Sequence, residues 1–534
     1  MPTEIMRRLT PQPAFLSLVM VAGLILILYA VYEPRFETND DVAMSMIAHG
    51  YGDAAYSSPL LIYSNVLWGY LVRTTPTIGG VLGYSVAALV ALMAAAWAIA
   101  YFLIRLGAGY FAAFLAVSLV LVRPALFPQF TVTAGLLTVA AVIGSQLYAR
   151  RGGGGILVVS CALVFVAFLV RQREVALVLA VAAPLLPWRA LRERREAQVA
   201  FVMLAVAIAA ALAVDNLSYS GPEWAHYFEV KKTLSSILAW GNGEELKQHP
   251  EMLARHGYSK NDIELIQHSF WVDPQISNPK ALNAMLFELD SARTEGASIS
   301  KGIEGLRTLA EPALLPLMLG ALVLLILTPR RSVAFSWALC ISAVIVFAAL
   351  GRPGIVRIYL PLASLLLLAT LAAGQSGTRT RRCLTLVTIC GAWIGNAYVL
   401  VPQASESTRQ VREFQRDLRG APAGTIVNWA NSVHHEFPYP LLARDPKIRS
   451  LRLYDISAFS FAPFSVSMAE KAAGRSFKTR LQSAEGVPMF TPMSYQHEQL
   501  EIYCLEHLGS QLQAEFTYTS PSLNVRQVRC VAPK

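Results

Sequence analysis

The sequence has little charge for its length. Only 15% of its 534 residues are charged and 54% are hydrophobic, whereas about a quarter of the residues of a soluble domain are charged. This composition excludes a disordered chain and an ordinary soluble enzyme, and it predicts a polytopic membrane protein with soluble parts. The net charge of +10 does not indicate a nucleic-acid partner, because basic residues of membrane proteins gather in cytoplasmic loops.

Cysteine is also scarce, with six residues. Four of them fall in apolar stretches, where a small buried thiol is the usual role. Cys504 and Cys530 lie in the polar C-terminal region, and they can form a disulfide if that region is outside the cytosol. A P-loop is missing too, because the glycine run 152–155 lacks the lysine and the flanking strand of such a loop.

Long apolar runs are abundant instead. A membrane-spanning helix needs roughly 20 mostly apolar residues. We predict spans at 14–32, 79–104, 109–126, 131–148, 154–170, 174–188, 198–214, 309–328, 332–350, 354–373 and 383–402. The first run has no small-residue cleavage site, so we expect it to remain as an anchor.

The arginines give these eleven spans a direction. If the N-terminus is inside, the inside also holds Arg7, Arg8, Arg105, Arg150, Arg151, Arg189, Arg192, Arg194, Arg195, Arg330, Arg331, Arg379, Arg381 and Arg382. This arrangement satisfies the positive-inside rule. An odd number of spans then places the C-terminus outside.

Three outer segments follow from this topology. Loops 33–78 and 215–308 belong to a transmembrane module, 1–402, and the region 403–534 forms a soluble extracytoplasmic domain. We predict an α/β fold for that domain, because β-rich runs such as Thr425–Trp429 and Phe516–Thr519 alternate with helix-like segments.

Two adjacent acids, Asp40 and Asp41, follow the first span directly. They either cap a short interfacial helix that starts at Asn39 or provide a general base. A partly desolvated carboxylate beside a like charge has the raised proton affinity that suits a base. A second amphipathic piece, Leu60–Leu71, is also too short to span and suits the interface plane.

A second set of arginines lies at the outer membrane edge, where the positive-inside rule disfavours it. These residues come from three turns and are Arg123, Arg171, Arg173, Arg352 and Arg357. Single arginines of this kind often snorkel to headgroups or pair locally, as Arg173 can with Glu174. Several of them beside two carboxylates indicate a binding site for a lipid phosphate or pyrophosphate, since guanidinium groups bind phosphate oxygens in bidentate fashion.

Two weaker candidates remain. Trp224, His226 and Tyr227 of loop 215–308 form either an acceptor platform, on which rings stack against sugars, or an aromatic belt with a small core. His434-His435-Glu436 either binds a metal ion or has ordinary surface and core roles, because adjacent histidines rarely face one ion.

The run Phe36-Glu-Thr-Asn-Asp-Asp-Val-Ala-Met, the interfacial helices after it and the eleven-span layout resemble the GT-C class of membrane glycosyltransferases. This class includes protein O-mannosyltransferases, lipid A aminoarabinose transferases and mycobacterial arabinofuranosyltransferases. The resemblance covers the layout of the whole chain, but its specific motif is short. It implies a multi-pass protein of the bacterial inner membrane, with either Asp40 or Asp41 as catalytic base. No cofactor is certain; a divalent cation is possible, but no further ligand set is evident.

The resemblance implies an inverting hexosyl- or pentosyltransferase that moves a sugar from a polyprenyl phosphate to an extracytoplasmic hydroxyl of a glycan, lipid or protein. Phosphate is a good leaving group, so one base suffices, and the outer arginines would neutralise the growing charge. Two alternatives stay open. One is a transporter or flippase of an anionic lipid-linked glycan, and the other is a polysaccharide polymerase or ligase.

Overall fold

Helices form most of the protein, and a small sheet lies near its C-terminus. The computed structural model describes residues 12–238, 241–292, 299–350, 354–373 and 378–533. The helices that precede the sheet are α1 (Pro13–Val31), α2 (Asn39–His49), α3 (Val66–Thr74), α4 (Gly83–Leu106), α5 (Tyr110–Leu126), α6 (Phe130–Arg151), α7 (Gly154–Ala182), α8 (Trp188–Glu193), α9 (Arg195–Ser218), α10 (Pro222–Leu238), α11 (Asn242–Leu246), α12 (Pro250–Arg255), α13 (Lys260–Gln267), α14 (Pro279–Ala292), α15 (Ile299–Glu304), α16 (Leu315–Leu327), α17 (Arg331–Ala349), α18 (Val356–Ala372) and α19 (Arg379–Leu418).

Seven helices in the described part of the chain are long and apolar enough to cross a membrane. They are α1, α4, α6, α7, α9, α17 and α19. An eighth candidate is the pair 300–310 and α16, whose axes meet at 94°, and α5 and α18 are shorter apolar helices. Each of the eleven predicted spans falls on one of these elements, with two of them on α7. The multi-pass helical architecture is therefore present, whereas the count of eleven stays a prediction.

Helix α7 holds two predicted spans because it is broken at Arg171. The backbone of Arg171 is extended there, with φ −159° and ψ 89°. Leu157 and Ala180 line the same cavity, although an unbroken helix would hold residues 23 apart about 35 Å from each other. The two halves of α7 therefore fold back on each other, and the polar run from Arg171 to Glu174 lies at the tip of this hairpin.

The predicted interfacial helices of loop 33–78 differ from expectation. Helix α2 is buried on several faces, with Val42, Met44 and Ala48 fully enclosed, so it is a core element rather than a helix with one wet face. Asn39 does not cap it, since its side chain accepts a hydrogen bond from the backbone N–H of His435. The second piece begins at Val66, not at Leu60, because the Asn65 side chain caps α3 there.

The C-terminal region contains a five-stranded sheet and four further helices. These elements are β1 (Thr425–Asn428), α20 (Pro446–Ser450), β2 (Arg452–Asp455), α21 (Val466–Ala472), α22 (Phe477–Leu481), β3 (Val487–Phe490), α23 (Ser494–Leu508), β4 (Gln511–Thr519) and β5 (Asn524–Val531). The strand order is β2-β1-β3-β5-β4, with β1 parallel to β2 and β3 and the remaining pairs antiparallel. This mixed sheet with helices agrees with the predicted α/β character.

Two features tie this sheet to the rest of the chain. The apolar residues of segment 222–289, such as Leu265 and Phe270, share one core with sheet residues such as Val427 and Val528. Loop 33–78 covers the β2 edge, where the N–H of Leu453 donates to the Gly52 carbonyl. The soluble parts therefore form one packed unit, and the division at 402/403 stays a prediction.

The predicted boundary at 402/403 lies inside α19. After its apolar half, the sequence continues as helix because Arg409 pairs with Glu406 and Glu413 on successive turns. Farther on, a disulfide joins Cys504 of α23 to Cys530 of β5, with 5.7 Å between the Cα atoms.

Candidate active site

The two acids of loop 33–78 face different surroundings. Asp41 is 1% exposed; its carboxylate accepts hydrogen bonds from the Tyr84 hydroxyl at 2.9 Å and from the N–H of Phe130 at 3.1 Å. Burial raises the pKa of Asp41 well above its usual range, the Tyr84 hydrogen bond opposes this, and the charge of Asp40 adds to it. Asp41 thus joins α2 to the starts of α4 and α6.

Asp40 is the more accessible acid, with 31% of its side chain exposed. Its carboxylate forms an ion pair with Arg357 of α18, with 3.1 Å between Nη1 and Oδ2. The two adjacent acids therefore have different partners.

A cavity of about 400 Å³ lies beside the tip of the α7 hairpin. Its cationic lining residues are Arg171, Arg173, Lys231 and Lys232, and we call it the cationic cavity. The charge of Asp40 acts on both Arg171 and Lys231. Two predicted arginines, Arg171 and Arg173, therefore meet in one cavity, and Arg357 reaches the same surroundings through Asp40.

Lys231 of α10 was not predicted from the sequence. Its ammonium lies 4.5 Å from the ring centre of Tyr63 and 5.4 Å from that of Tyr227. Burial lowers the pKa of Lys231 to about 8, and the charge of Asp40 acts in the opposite direction. The sequence could have indicated Lys231, because it follows Tyr227 by four residues and so lies on the same face of the helix.

Loop residues fix the hairpin tip. The Arg171 guanidinium donates to the Tyr63 carbonyl at 3.0 Å and lies over the Phe130 ring. The Ser64 hydroxyl donates to the Val170 carbonyl, and the N–H of Asn65 donates to that of Leu169. These bonds satisfy the carbonyls that the break in α7 leaves without helical partners.

Arg123 lies in a separate group of charges, which we call the paired network. This network consists of Arg35, Glu37, Arg123, Gln403 and Glu436. Arg123 pairs with Glu37 at 2.6 Å and donates to Gln403 at 3.0 Å. Arg35 lies between the rings of Phe127 and Phe437, with Glu436 at 3.8 Å. Arg352, the fifth predicted arginine, lies outside the described residues.

The aromatic residues suggested for acceptor binding have mainly packing roles in the structure. Trp224 and Tyr227 are buried, and Trp224 packs edge-on against Tyr219. The Tyr227 hydroxyl donates to the Ala458 carbonyl at 3.2 Å. His226 is exposed, with Phe461 as a ring neighbour.

His434 and His435 point in different directions. His434 is half exposed near Glu436, whereas His435 is buried, with Nε2 2.5 Å from the Asn428 amide and Nδ1 3.6 Å from Asp53. Burial, assisted by His434, lowers the pKa of His435 to about 4. Within the described residues, Asp262, Glu506 and His507 have ligand atoms close enough for one metal ion, and the His507–Asp262 hydrogen bond already engages two of them.

An apolar cavity of about 450 Å³ lies farther along α7 and α9. Val164 of α7 lines it, one turn from Phe168 of the cationic cavity. Leu204 of α9 also lines it, and Asp215 of the same helix lines the cationic cavity. The same two helices thus connect a cationic space with an apolar one.

Comparisons with family models and with curated protein sequences find no match. A comparison with solved structures finds the crystal structure of ArnT from Cupriavidus metallidurans in the apo state. The two chains are 12% identical, the match covers 97% of this chain and 98% of that one, and the TM-score is 0.42.

Proposed function

We propose that the protein is an inverting GT-C-type glycosyltransferase that takes a sugar from a polyprenyl phosphate. The observation that carries this proposal is the cationic cavity beside Asp40. Four cationic side chains line one partly open space, and the half-buried carboxylate of Asp40 acts electrostatically on two of them. Four cations that share one space with a single lining acid, Asp215, suit a phosphate. A nearby carboxylate, that of Asp40, suits the deprotonation of a hydroxyl.

The roles divide between the two acids. Asp40 is the base, because it is accessible and ordered by Arg357. Asp41 supports the fold, because its carboxylate is enclosed and already accepts bonds from Tyr84 and Phe130.

In the reaction, the acceptor hydroxyl oxygen attacks the anomeric carbon of the donor sugar, and its proton moves to the Asp40 carboxylate. The bond between the anomeric carbon and the phosphate oxygen breaks, and its electron pair stays on the phosphate. Arg171, Arg173 and Lys231 stabilise the charge that develops there. The apolar cavity along α7 and α9 suits the lipid chain, and the cationic cavity would face the extracytoplasmic side.

The experiment measures consumption of polyprenyl-phosphate hexoses and pentoses by the full chain in detergent. We expect Asp40→Asn to lower transfer by roughly 10²–10⁴-fold with an unchanged thermal unfolding profile. Glu37→Gln is the control from the same loop. Because Glu37 pairs with Arg123, this variant should lower the Tm but retain transfer by the folded protein within about tenfold.

Full transfer by Asp40→Asn would refute the assignment of the base. Movement of the donor between leaflets without its consumption would support the transporter alternative instead.

A further inference from the structure

A β-branched residue has a left-handed backbone conformation at the wall of the cationic cavity. Ile62 has φ +70°, and the N–H of Tyr63 donates to the Leu61 carbonyl at 2.8 Å. Residues 61–63 therefore form a γ-turn of positive φ, which is rare and strained. Such a conformation persists only where the surrounding structure holds it in place.

The surroundings hold this turn on both sides. The N–H of Ile62 donates to the Tyr219 hydroxyl at 2.9 Å. On the other side, Ser64 and Asn65 bind the carbonyls of Val170 and Leu169 at the hairpin tip. The strained residue is thus fixed between the end of α9 and the break in α7.

The turn presents Tyr63 to two cations from different elements. The Tyr63 carbonyl accepts the hydrogen bond from Arg171 of the hairpin tip, and its ring lies under the ammonium of Lys231 from α10. One residue therefore fixes two cations that no direct contact joins.

The position of Lys231 depends on its contact with Tyr63 more than the position of Arg171 does. A lysine side chain is a flexible stem with a point charge, so ordering it for an anion costs entropy. An aromatic ring under the ammonium offsets that cost, because a partly buried ammonium is attracted to the face of the ring. Tyr227 lies farther away, at 5.4 Å.

We infer that Tyr63 is a positioning residue that sets the spacing of Lys231 and Arg171 across the cationic cavity, and that the strained turn at Ile62, fixed by Tyr219, holds Tyr63 in place. This inference rests on the anion site of the proposed function and adds to it a residue that acts through the two cations.

The first experiment measures binding of undecaprenyl phosphate to the full chain in zwitterionic nanodiscs. We expect Lys231→Ala and Tyr63→Ala each to weaken binding about fivefold, and the double variant to bind no more weakly than Lys231→Ala alone. Tyr63→Phe keeps the ring and should bind like the parent. Tyr63→Leu fills more of the space than alanine does but has no π face. It should weaken binding as much as Tyr63→Ala, and it replaces that variant if the alanine variant folds poorly.

Additive effects of the two substitutions would overturn the inference, because Tyr63 would then not act through Lys231. That result differs from failure of the proposed function, in which neither Arg171→Ala nor Lys231→Ala would change binding at all.

The second experiment tests the strain. Tyr219→Phe removes the hydroxyl that holds the Ile62 N–H and should weaken binding several-fold. Glycine adopts positive φ without steric cost, so Tyr219→Phe should have a smaller effect in an Ile62→Gly background. An equal loss in both backgrounds would show that the conformation of Ile62 is not what Tyr219 maintains.

Discussion

Two groups of arginines lie around the same short acidic loop and differ in how their charge is balanced. In the paired network, Arg123 and Arg35 have Glu37 and Glu436 as acidic partners. In the cationic cavity, Arg171, Arg173, Lys231 and Lys232 share a partly open space with one lining acid, Asp215. The charge of Asp40, which is paired with Arg357, also acts on Arg171 and Lys231. The first group has its counter-charges within the chain, and we propose that the second keeps positive charge for a ligand.

The difference in counter-charge distinguishes arginines that stabilise the fold from arginines that we propose bind a ligand. An arginine with a buried carboxylate partner contributes to stability, because loss of either partner leaves an unpaired charge. Arginines that share one space with too few acids repel one another, and that cost is recovered when an anion binds. Substitutions in the two groups should therefore change different measurements.

The largest expected effect is on stability and comes from the paired network. Arg123→Ala leaves Glu37 without its partner in a site where both side chains are less than a fifth exposed. We expect a loss of roughly 3 kcal/mol, measured as a lower Tm, with little change in undecaprenyl phosphate binding once folded protein is selected. Arg409→Ala, in an exposed pair on α19, is the matched control and should cost less than about 1 kcal/mol. If Arg123→Ala kept its Tm but lost undecaprenyl phosphate binding, Arg123 would belong to the binding site and not to a stabilising pair.

The next effect is on binding and comes from the cationic cavity. Arg171→Ala removes a charged donor and should weaken undecaprenyl phosphate binding about tenfold or more, since hydrogen bonds to charged groups contribute about 1.5–3 kcal/mol. Titration of the lipid into nanodiscs measures this. Arg189→Ala, in an exposed pair with Glu193 on α8, should bind like the parent. Equal losses in both variants would indicate a non-specific effect of net charge.

A smaller effect should appear with pH. The pKa of Lys231 is lowered to about 8, so its ammonium is present below that pH and is lost as the pH rises through it. Lipid-phosphate affinity should therefore fall between pH 7 and 9. Lys231→Arg stays charged over this range and should remove most of the fall. A fall of the same size in Lys231→Arg would assign the titration to another group.

The smallest effect should come from salt. Raising the ionic strength from about 0.05 to 0.5 M shortens the Debye length to well below 10 Å, which weakens anion attraction at the partly open cationic cavity. The enclosed Arg123–Glu37 pair should be screened less, so the Tm should change little. A Tm that falls in parallel with lipid-phosphate binding would mean that the two groups do not differ in exposure.

The sequence indicated much of the layout but not the division of its charges. The apolar runs marked the helices, and the alternation of β-rich runs indicated the C-terminal sheet. Arg171 and Arg173 could be placed near Asp40 because short turns bring them to one end of the bundle. The partnership of Arg123 with Glu37 and Gln403 could not be predicted, since it depends on how α5 and α19 pack 280 residues apart.

Other features of the structure were not predicted from the sequence, for similar reasons. The burial of α2 was not predicted, because its composition suits an interface helix and only the packed soluble unit encloses it. Trp224 and Tyr227 were predicted to bind an acceptor because of their aromatic rings, whereas the residue of their helix that lines the cationic cavity is Lys231, one turn after Tyr227. The γ-turn at Ile62 had no sequence signal, since isoleucine disfavours positive φ.

The core shared by segment 222–289 and the sheet has a consequence for biosynthesis. The ribosome completes that segment more than a hundred residues before it reaches Thr425, which corresponds to roughly 10 s of translation. During this interval Leu265, Phe270 and their neighbours have no strands to cover them. These side chains therefore remain without their partners in the sheet until the last strands emerge.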